Sequence, residues 1–353
     1  MQRTPLRGVI VCLLAFAGPA LAHDFSTSYS LIEAEGPEVS VMLTFAATDF
    51  HEGPTLDLNQ DGRVDTEELK AGIDALFAAI DANYQISAPD PPLDTVLAEY
   101  SFTAENVARL RVLYTFAADV RDLTVVSTLD RLTQENHKHL LQIGEGDEAR
   151  TAVLDSDYPS IDIDYATGIP FWVTIRDFVQ LGIEHIFTGY DHLAFLLALL
   201  LATTTLVSLA KVITCFTLGH SVTLVLATLG VVALPSRFIE SLIALSIAYV
   251  AIENFVGRTL VHRWVVTLVF GFVHGFGFSN VLREMGLGQS RLAISLFSFN
   301  FGVEIGQLAF VAILFPLLLY VGRTRWKEHV MSLSSVAIMC LGFYWFVSRA
   351  FFE

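Results

Sequence analysis

The hydrophobic pattern of the chain changes near residue 170, from short alternating segments to long apolar runs. Alternation with a period of two is typical of strands that bury one face. A helix that crosses a bilayer needs about 20 predominantly apolar residues. The pattern therefore predicts a mostly β, sandwich-like region at residues 23–170, followed by a polytopic α-helical membrane domain at residues 171–353.

The first region has six alternating segments separated by turn-like stretches. They predict an antiparallel sandwich of about seven strands, with one helix from Thr66 to about Ala82 and a linker from Asp155 to Pro170. The six predicted strands are Thr27–Glu35, Glu38–Ala47, Val96–Thr103, Arg109–Phe116, Leu123–Leu129 and His137–Ile143. In the predicted strand His137–Ile143, His137 and His139 point to one face. This pattern favours a solvated polar face, and a metal-binding pair is the alternative.

The second region contains six apolar runs, each close to the length of a membrane span. Phe171 to Val179 adds either an interfacial helix or a seventh, partial span. The predicted spans are 182–204, 207–231, 238–257, 262–283, 291–320 and 330–350. Basic residues then favour inner loops over outer ones, with Lys211, Arg258, Arg263, Arg323, Arg325 and Lys327 inside against Arg237, Arg283, Arg291 and Arg349 outside.

The first 22 residues resemble a secretory signal peptide, with Arg3 and Arg7 before an apolar stretch and the small-residue site Ala20-Leu21-Ala22. We therefore expect a bacterial inner-membrane protein whose N-terminal domain lies on the periplasmic side. That domain, residues 23–170, has 28 acidic and 8 basic residues, whereas residues 171–353 have 9 and 11. An acidic domain argues against nucleic acid as a partner and suits metal cations; the sequence indicates no particular protein partner.

Residues 57–68 match the twelve-residue EF-hand loop. Arg63 offers its backbone carbonyl, and Gly62 allows the sharp turn in the middle of the loop. No long helix enters the loop, because Gly53-Pro54 precedes it, so a single structural calcium site is expected; an acidic turn that caps the next helix is the alternative. The side-chain ligands are Asp57, Asn59, Asp61, Asp65 and Glu68.

Ionisable side chains inside the predicted spans are the strongest functional signal, because one charge at the centre of a span costs about 2.5–3.5 kcal/mol. His185 and His192 are separated by two turns, or about 10 Å along an ideal helix. In an unbroken helix they cannot both bind one ion at about 2 Å. Either Gly189 permits a kink, or the two histidines form successive stations.

The mixture of imidazoles and carboxylates suits a borderline divalent metal such as nickel, cobalt or zinc. For Asn254, Gln307, Thr217 and Ser221, hydrogen bonding between helices is an equally good explanation. The candidate metal ligands in the spans are His185, Asp191, His192, His220, His274 and Glu304. The supporting polar groups are Glu184, Ser221, Glu253, Asn254, Asn300 and Gln307.

Four motifs in order resemble the HupE/UreJ family, in particular the branch with an extracytoplasmic N-terminal domain. The resemblance covers about residues 180–350 and implies a membrane protein of nickel or cobalt uptake. It also implies that His185, Asp191 and His192 carry the metal motif of the first span. The motifs are His185-Ile-Phe-Thr-Gly-Tyr-Asp191-His192, Phe-Thr-Leu-Gly-His220-Ser, His274-Gly-Phe-Gly-Phe and Asn300-Phe-Gly-Val-Glu304-Ile-Gly-Gln307.

Two functions are compatible with these candidate metal ligands and supporting polar groups. The leading hypothesis is a permease for a divalent transition metal, in which the histidines bind a partly dehydrated ion and Asp191 and Glu304 balance its charge or exchange protons. The alternative is an intramembrane zinc-dependent hydrolase of a lipid or a membrane-anchored peptide, with Glu184 or Glu304 as the base. Histidines that converge on one tightly held ion favour the hydrolase, whereas side chains strung across the membrane favour the permease.

Overall fold

The structure is a computed structural model that describes residues 26–46, 66–102, 107–133, 137–144, 149–165, 167–201, 205–232, 234–257, 262–277 and 289–352. These residues divide into two compact units. One consists mainly of Phe25–Phe178, and the other consists of Val179–Arg283 with Leu296–Glu353. The first unit is mostly β and the second is helical, which confirms the two classes of structure predicted from the hydrophobic pattern.

Nine strands of the first unit form two sheets. The larger sheet has the order β4-β5-β2-β1-β7-β8, and the smaller has the order β3-β6-β9. The strands are β1 (Thr27–Glu35), β2 (Glu38–Ala46), β3 (Tyr84–Ser87), β4 (Asp94–Phe102), β5 (Val107–Thr115), β6 (Asp122–Ser127), β7 (Lys138–Ile143), β8 (Arg150–Leu154) and β9 (Ser160–Asp164).

Alternation along the strands builds one shared core in this unit. In the larger sheet, Val41 of β2 pairs with Val112 of β5, and both side chains are buried. Leu123 of β6 and Leu76 of a helix belong to the same core cluster. That helix, α2 (Ile73–Asn83), follows α1 (Thr66–Ala71), so the single helix predicted over Thr66–Ala82 is divided at Gly72.

Two expectations about the sheets were wrong. The sandwich is not purely antiparallel, because β1 and β7 pair in parallel. The stretch Asp155–Pro170 is not merely a linker, because it contains β9, which pairs with β6. Strand β9 has only five residues, so the alternation that buries Ile163 is too short to stand out in a stretch that otherwise reads as a linker.

The two strand histidines are buried rather than solvated, with His137 and His139 only 2% and 1% exposed. Ser26 and Ser28 lie 2.7 Å from the two nitrogens of His137. Ser28 and Ser30 lie 2.7 and 2.8 Å from those of His139. Each ring nitrogen thus meets a serine hydroxyl, so the pair is a buried hydrogen-bond network in this arrangement. The expectation of a solvated polar face was wrong, whereas metal binding by the pair stays a prediction.

The predicted calcium loop lies almost wholly outside the described residues. This holds for Asp57, Asn59, Asp61, Arg63 and Asp65, and for the signal peptide at residues 1–22. The last predicted ligand, Glu68, lies in α1 and is buried. Calcium binding and signal cleavage stay predictions.

Among the described residues, seven helices follow the β region, and four of them are long and apolar enough to cross a membrane. These four are α5, α6, α8 (from Leu292) and α9, whereas α4 and α7 are apolar but shorter. The number of six spans stays a prediction. The helices are α3 (Phe171–Thr188), α4 (Tyr190–Leu201), α5 (Leu206–Thr228), α6 (Ser236–Val256), α7 (Arg263–His274), α8 (Gln289–Gly322) and α9 (Lys327–Phe351).

Glycines let the helix backbones touch in this unit. A Cβ atom at Gly182 of α3 would fall on the carbonyl oxygen of Phe299, and one at Gly302 of α8 would fall on that of Val179. A Cβ atom at Gly271 of α7 would likewise fall on a backbone carbonyl of α5. Small residues of this kind permit close helix association in membranes, and here they hold together the helices that carry the histidines.

Candidate metal site

Four helices each contribute one histidine to a single cluster. His185 lies in the last turn of α3, His192 in the first turn of α4, His220 in α5, and His274 at the end of α7. The ring centroid of His192 is 4.6 Å from that of His185 and 5.3 Å from that of His274. The rings of His185 and His220 are 6.2 Å apart. The cluster is compact rather than a series of stations along the membrane.

A break in the first predicted span brings His185 and His192 together. Helix α3 ends at Thr188 and α4 begins at Tyr190, so Gly189 belongs to neither helix. A Cβ atom at Gly189 would lie 2.5 Å from Nδ1 of His192 and 2.8 Å from the carbonyl oxygen of His185. Of the two alternatives left open by the sequence, the structure adopts the break.

Several imidazole nitrogens of the cluster are buried without a hydrogen-bond partner among the described residues. They are both nitrogens of His192, both of His220, and Nδ1 of His274. A buried polar atom that lacks a partner costs about 1–3 kcal/mol. This cost is offset when the lone pairs bind a ligand. Imidazole is a common ligand of divalent transition metals.

The spacing of the rings is compatible with one shared ion. With metal–nitrogen bonds of about 2.0–2.1 Å, ring centroids lie about 3.2 Å from the ion, and two ligands in tetrahedral geometry have centroids about 5 Å apart. The separations of 4.6, 5.3 and 6.2 Å bracket that value. However, no group of three His, Cys, Asp or Glu side chains in the described chain is placed to hold one ion. Binding of one ion by three of these side chains therefore requires them to move.

Aromatic side chains enclose the histidines. Phe216 and Phe195 lie 5.0 and 5.3 Å from the ring of His274. Phe299 of α8 lies 5.4 Å from the ring of His185. All three phenylalanines are at most 2% exposed. Electrostatic and metal–ligand interactions are stronger in such surroundings, because little water screens them.

A serine of α6 fixes the tautomer of His274. The Ser246 hydroxyl donates to the carbonyl oxygen of Ile243 at 2.6 Å and lies 3.0 Å from Nε2 of His274. Because the hydroxyl has a single proton, Nε2 must donate to the serine oxygen. Nδ1 of His274 then carries the lone pair, and it is buried without a partner among the residues described.

Ser246→Ala is expected to weaken the binding of nickel about 10–100-fold, the usual effect of removing a partner that orients a metal-binding histidine. Isothermal titration of the purified protein with Ni²⁺ measures this change. Ser241→Ala is the matched control in the same helix, because among the described residues the Ser241 hydroxyl donates only to the carbonyl oxygen of Arg237. Equal affinities for the two variants would contradict the role assigned to Ser246.

The carboxylate of Asp191, a predicted metal ligand, is paired with Arg349 at 2.9 Å. Arg349 lies in the last turn of α9 and is 3% exposed; its position on the outer side of the membrane stays a prediction. The residue lies inside the predicted span 330–350, and an ionisable group within an apolar run was the signal that could have identified it. Ser246 gave no comparable signal, since a serine in a helix commonly bonds to its own backbone.

The polar row of α8 contacts threonines rather than the histidines. The hydroxyls of Thr214 and Thr217 lie 2.8 and 2.5 Å from the two carboxylate oxygens of Glu304. Thr217 is also 3.1 Å from the side-chain oxygen of Gln307. Since Thr217 precedes His220 by one turn of α5, Glu304 lies on the histidine side of that helix.

The remaining supporting residues hold local structure. Ser221 donates to the carbonyl oxygen of Thr217, and Asn300 donates to that of Leu296. Asn254 joins helices, because it donates to the carbonyl oxygen of Ala198. The other two accept hydrogen bonds within their own helices, Glu184 from Gln180 and Glu253 from Tyr249.

The fold and the site define a helical membrane protein with a buried imidazole cluster. A family model described as HupE / UreJ protein matches residues 164–349, which is more than half of the chain. The chain belongs to the HupE/UreJ family, which is associated with nickel and cobalt transport. No curated protein matches the sequence at a significant level.

Proposed function

We propose that this protein is a permease for a divalent transition metal of the nickel or cobalt type. The observation that carries the proposal is the meeting of four histidines from four helices, with five buried ring nitrogens that have no partner among the described residues. Membership of the HupE/UreJ family supports it. The metal is the cargo of the protein, so the site must bind the ion and also release it.

Within this proposal the histidines bind the partly dehydrated ion, and Glu304 balances charge or exchanges protons next to His220. We further propose six spans in a bacterial inner membrane, with the N-terminal region at residues 23–170 on the periplasmic side. The excess of acidic residues there raises the local concentration of cations. Calcium at residues 57–68 has a structural role in that region.

One observation favours the second candidate, an intramembrane zinc-dependent hydrolase. The histidines converge, as a hydrolytic metal centre requires, instead of lying in a series across the membrane. A permanently held zinc needs ligands already oriented around it, and the described residues include no such set of three. A cluster that must rearrange to bind suits an ion that has to leave again, as in conduction.

The test is uptake of Ni²⁺ and Co²⁺ into proteoliposomes, together with the metal content of the purified protein. His192→Ala is expected to lower uptake by more than about tenfold, because His192 contacts both His185 and His274 in the cluster. His329→Ala is the control, since His329 is exposed and packs on Trp326. Stoichiometric zinc that resists chelation, with no uptake by the wild type, would refute the permease and support the hydrolase.

A further inference from the structure

Asp191 and Arg349 form a buried ion pair directly beside the histidine cluster. Nη1 of Arg349 lies 2.9 Å from Oδ2 of Asp191, and the two side chains are 4% and 14% exposed. Asp191 is the neighbour of His192 in the first turn of α4. The pair therefore places one carboxylate and one guanidinium at the edge of the histidine cluster.

The guanidinium is held in place by its surroundings. It stacks 5.7 Å above the ring of Trp345, and Nη1 also lies 3.4 Å from the carbonyl oxygen of Glu240. The backbone of Arg349 is fixed as well, because its carbonyl oxygen accepts a hydrogen bond from Arg237. An arginine positioned in this way is a stable partner for the carboxylate rather than a mobile surface charge.

We propose that Arg349 determines the metal selectivity of this site by withholding the Asp191 carboxylate from the ion. The proposal rests on the proposed function and adds the basis of its specificity. Hard cations such as Mg²⁺ and Ca²⁺ bind through oxygen ligands, carboxylates above all. Mn²⁺ shares that preference, whereas imidazole suits nickel, copper and zinc. With Asp191 bound to Arg349, the ion meets neutral imidazoles, which recover too little of the hydration energy of a hard cation.

The second carboxylate oxygen of Asp191 would become available to a metal ion if Arg349 were removed. Oδ1 of Asp191 is buried and has no hydrogen-bond partner within the described part of the chain. Without the guanidinium, the site would gain a full negative charge beside His192. The ligand set would then contain oxygen as well as nitrogen, and the advantage of nickel over manganese and magnesium would shrink.

The test is competition between Ni²⁺ and Mn²⁺ for the purified full-length protein, with equilibrium dialysis as the measurement. In Arg349→Gln, the ratio of the Mn²⁺ to the Ni²⁺ dissociation constant is expected to fall at least about tenfold, mainly through tighter binding of Mn²⁺. Circular dichroism and gel filtration establish that the variant is folded. An unchanged ratio in folded protein would overturn the inference.

Arg349→Gln leaves the Asp191 carboxylate without its counter-charge, and this variant could therefore fail to fold. A second variant tests the inference in that case. Asp191→Asn combined with Arg349→Gln removes both charges and is expected to keep the wild-type ratio, because the Asp191 carboxylate is absent in this variant and is withheld from the ion in the wild type. If the folded double variant loses Ni²⁺ binding as His192→Ala does, Asp191 is itself a ligand and the inference is wrong. A wild type that binds no transition metal would refute the proposed function, and the inference with it.

Discussion

Gly302→Val is expected to separate α3 from α8 and to abolish metal binding. A Cβ atom at Gly302 would fall on the carbonyl oxygen of Val179, and backbone cannot move aside as a flexible side chain can. The facing Gly182 is in the same contact, so neither helix has room to shift. Overpacking in a core typically costs about 1–3 kcal/mol, and more where backbone must move. Thermal unfolding in detergent and titration with Ni²⁺ measure the two effects.

Gly322→Val is the matched control in the same helix. A Cβ atom at Gly322 meets nothing within 4 Å, and valine has a better helix propensity than glycine. We expect a melting temperature and a nickel affinity close to those of the wild type. If both variants behave like the wild type, the close contact between α3 and α8 does not exist.

The β region is expected to lose stability in mild acid because of its buried histidines. Burial lowers the pKa of His137 to about 3. Burial and the neighbouring imidazole lower the pKa of His139 as well. Above pH 6.5 both rings are neutral whether the region is folded or unfolded. Below that pH the unfolded chain takes up protons that the folded region rejects, so the free energy of unfolding falls until the folded pKa is reached.

The size of this effect is about 1.4 kcal/mol per pH unit for each imidazole, or about 4 kcal/mol for the pair at pH 5. No charged side chain forms a hydrogen bond to either ring in the described structure. The groups that face the rings are three serine hydroxyls and the phenol of Tyr84, which donates to Ser30 and packs against His139. Lys138 is paired with Asp155 instead, at 2.7 Å.

Hydrogen exchange of the backbone amides of β1 and β7 between pH 7 and pH 5, corrected for the intrinsic exchange rate, measures the loss. Replacing both histidines by asparagine should flatten the dependence on pH, whatever it does to stability at pH 7. His329→Asn should leave the dependence unchanged, because that ring is exposed. Protection that is independent of pH in the wild type would contradict the prediction.

Predictions from the sequence were most reliable for features that depend only on neighbouring residues. Alternation along the chain predicted β1 without error and β2 to within one residue, because the direction of each side chain follows from the strand itself. It failed where partners are distant. The parallel pairing of β1 with β7 depends on chain packing, and the burial of His137 depends on serines of another strand.

The candidate site shows the same difference between features that depend on neighbouring residues and features that depend on distant ones. The cost of an imidazole in an apolar run can be judged from the run alone, so His185, His192, His220 and His274 could be selected from sequence. The pairing of Asp191 with Arg349 could not, because the two residues lie far apart in sequence, on α4 and α9. Ser246 was overlooked for a similar reason, since only folding shows which ring it meets.

The sequence by itself determined that this protein has an acidic β region, apolar helices and four histidines within them. Only the tertiary structure decided that the histidines meet. Spacing along one helix fixes distances within that helix, about 10 Å for His185 and His192 if it were unbroken. The observed 4.6 Å depends on the break at Gly189. Distances between helices depend on backbone contacts at glycines such as Gly271, which no local pattern specifies.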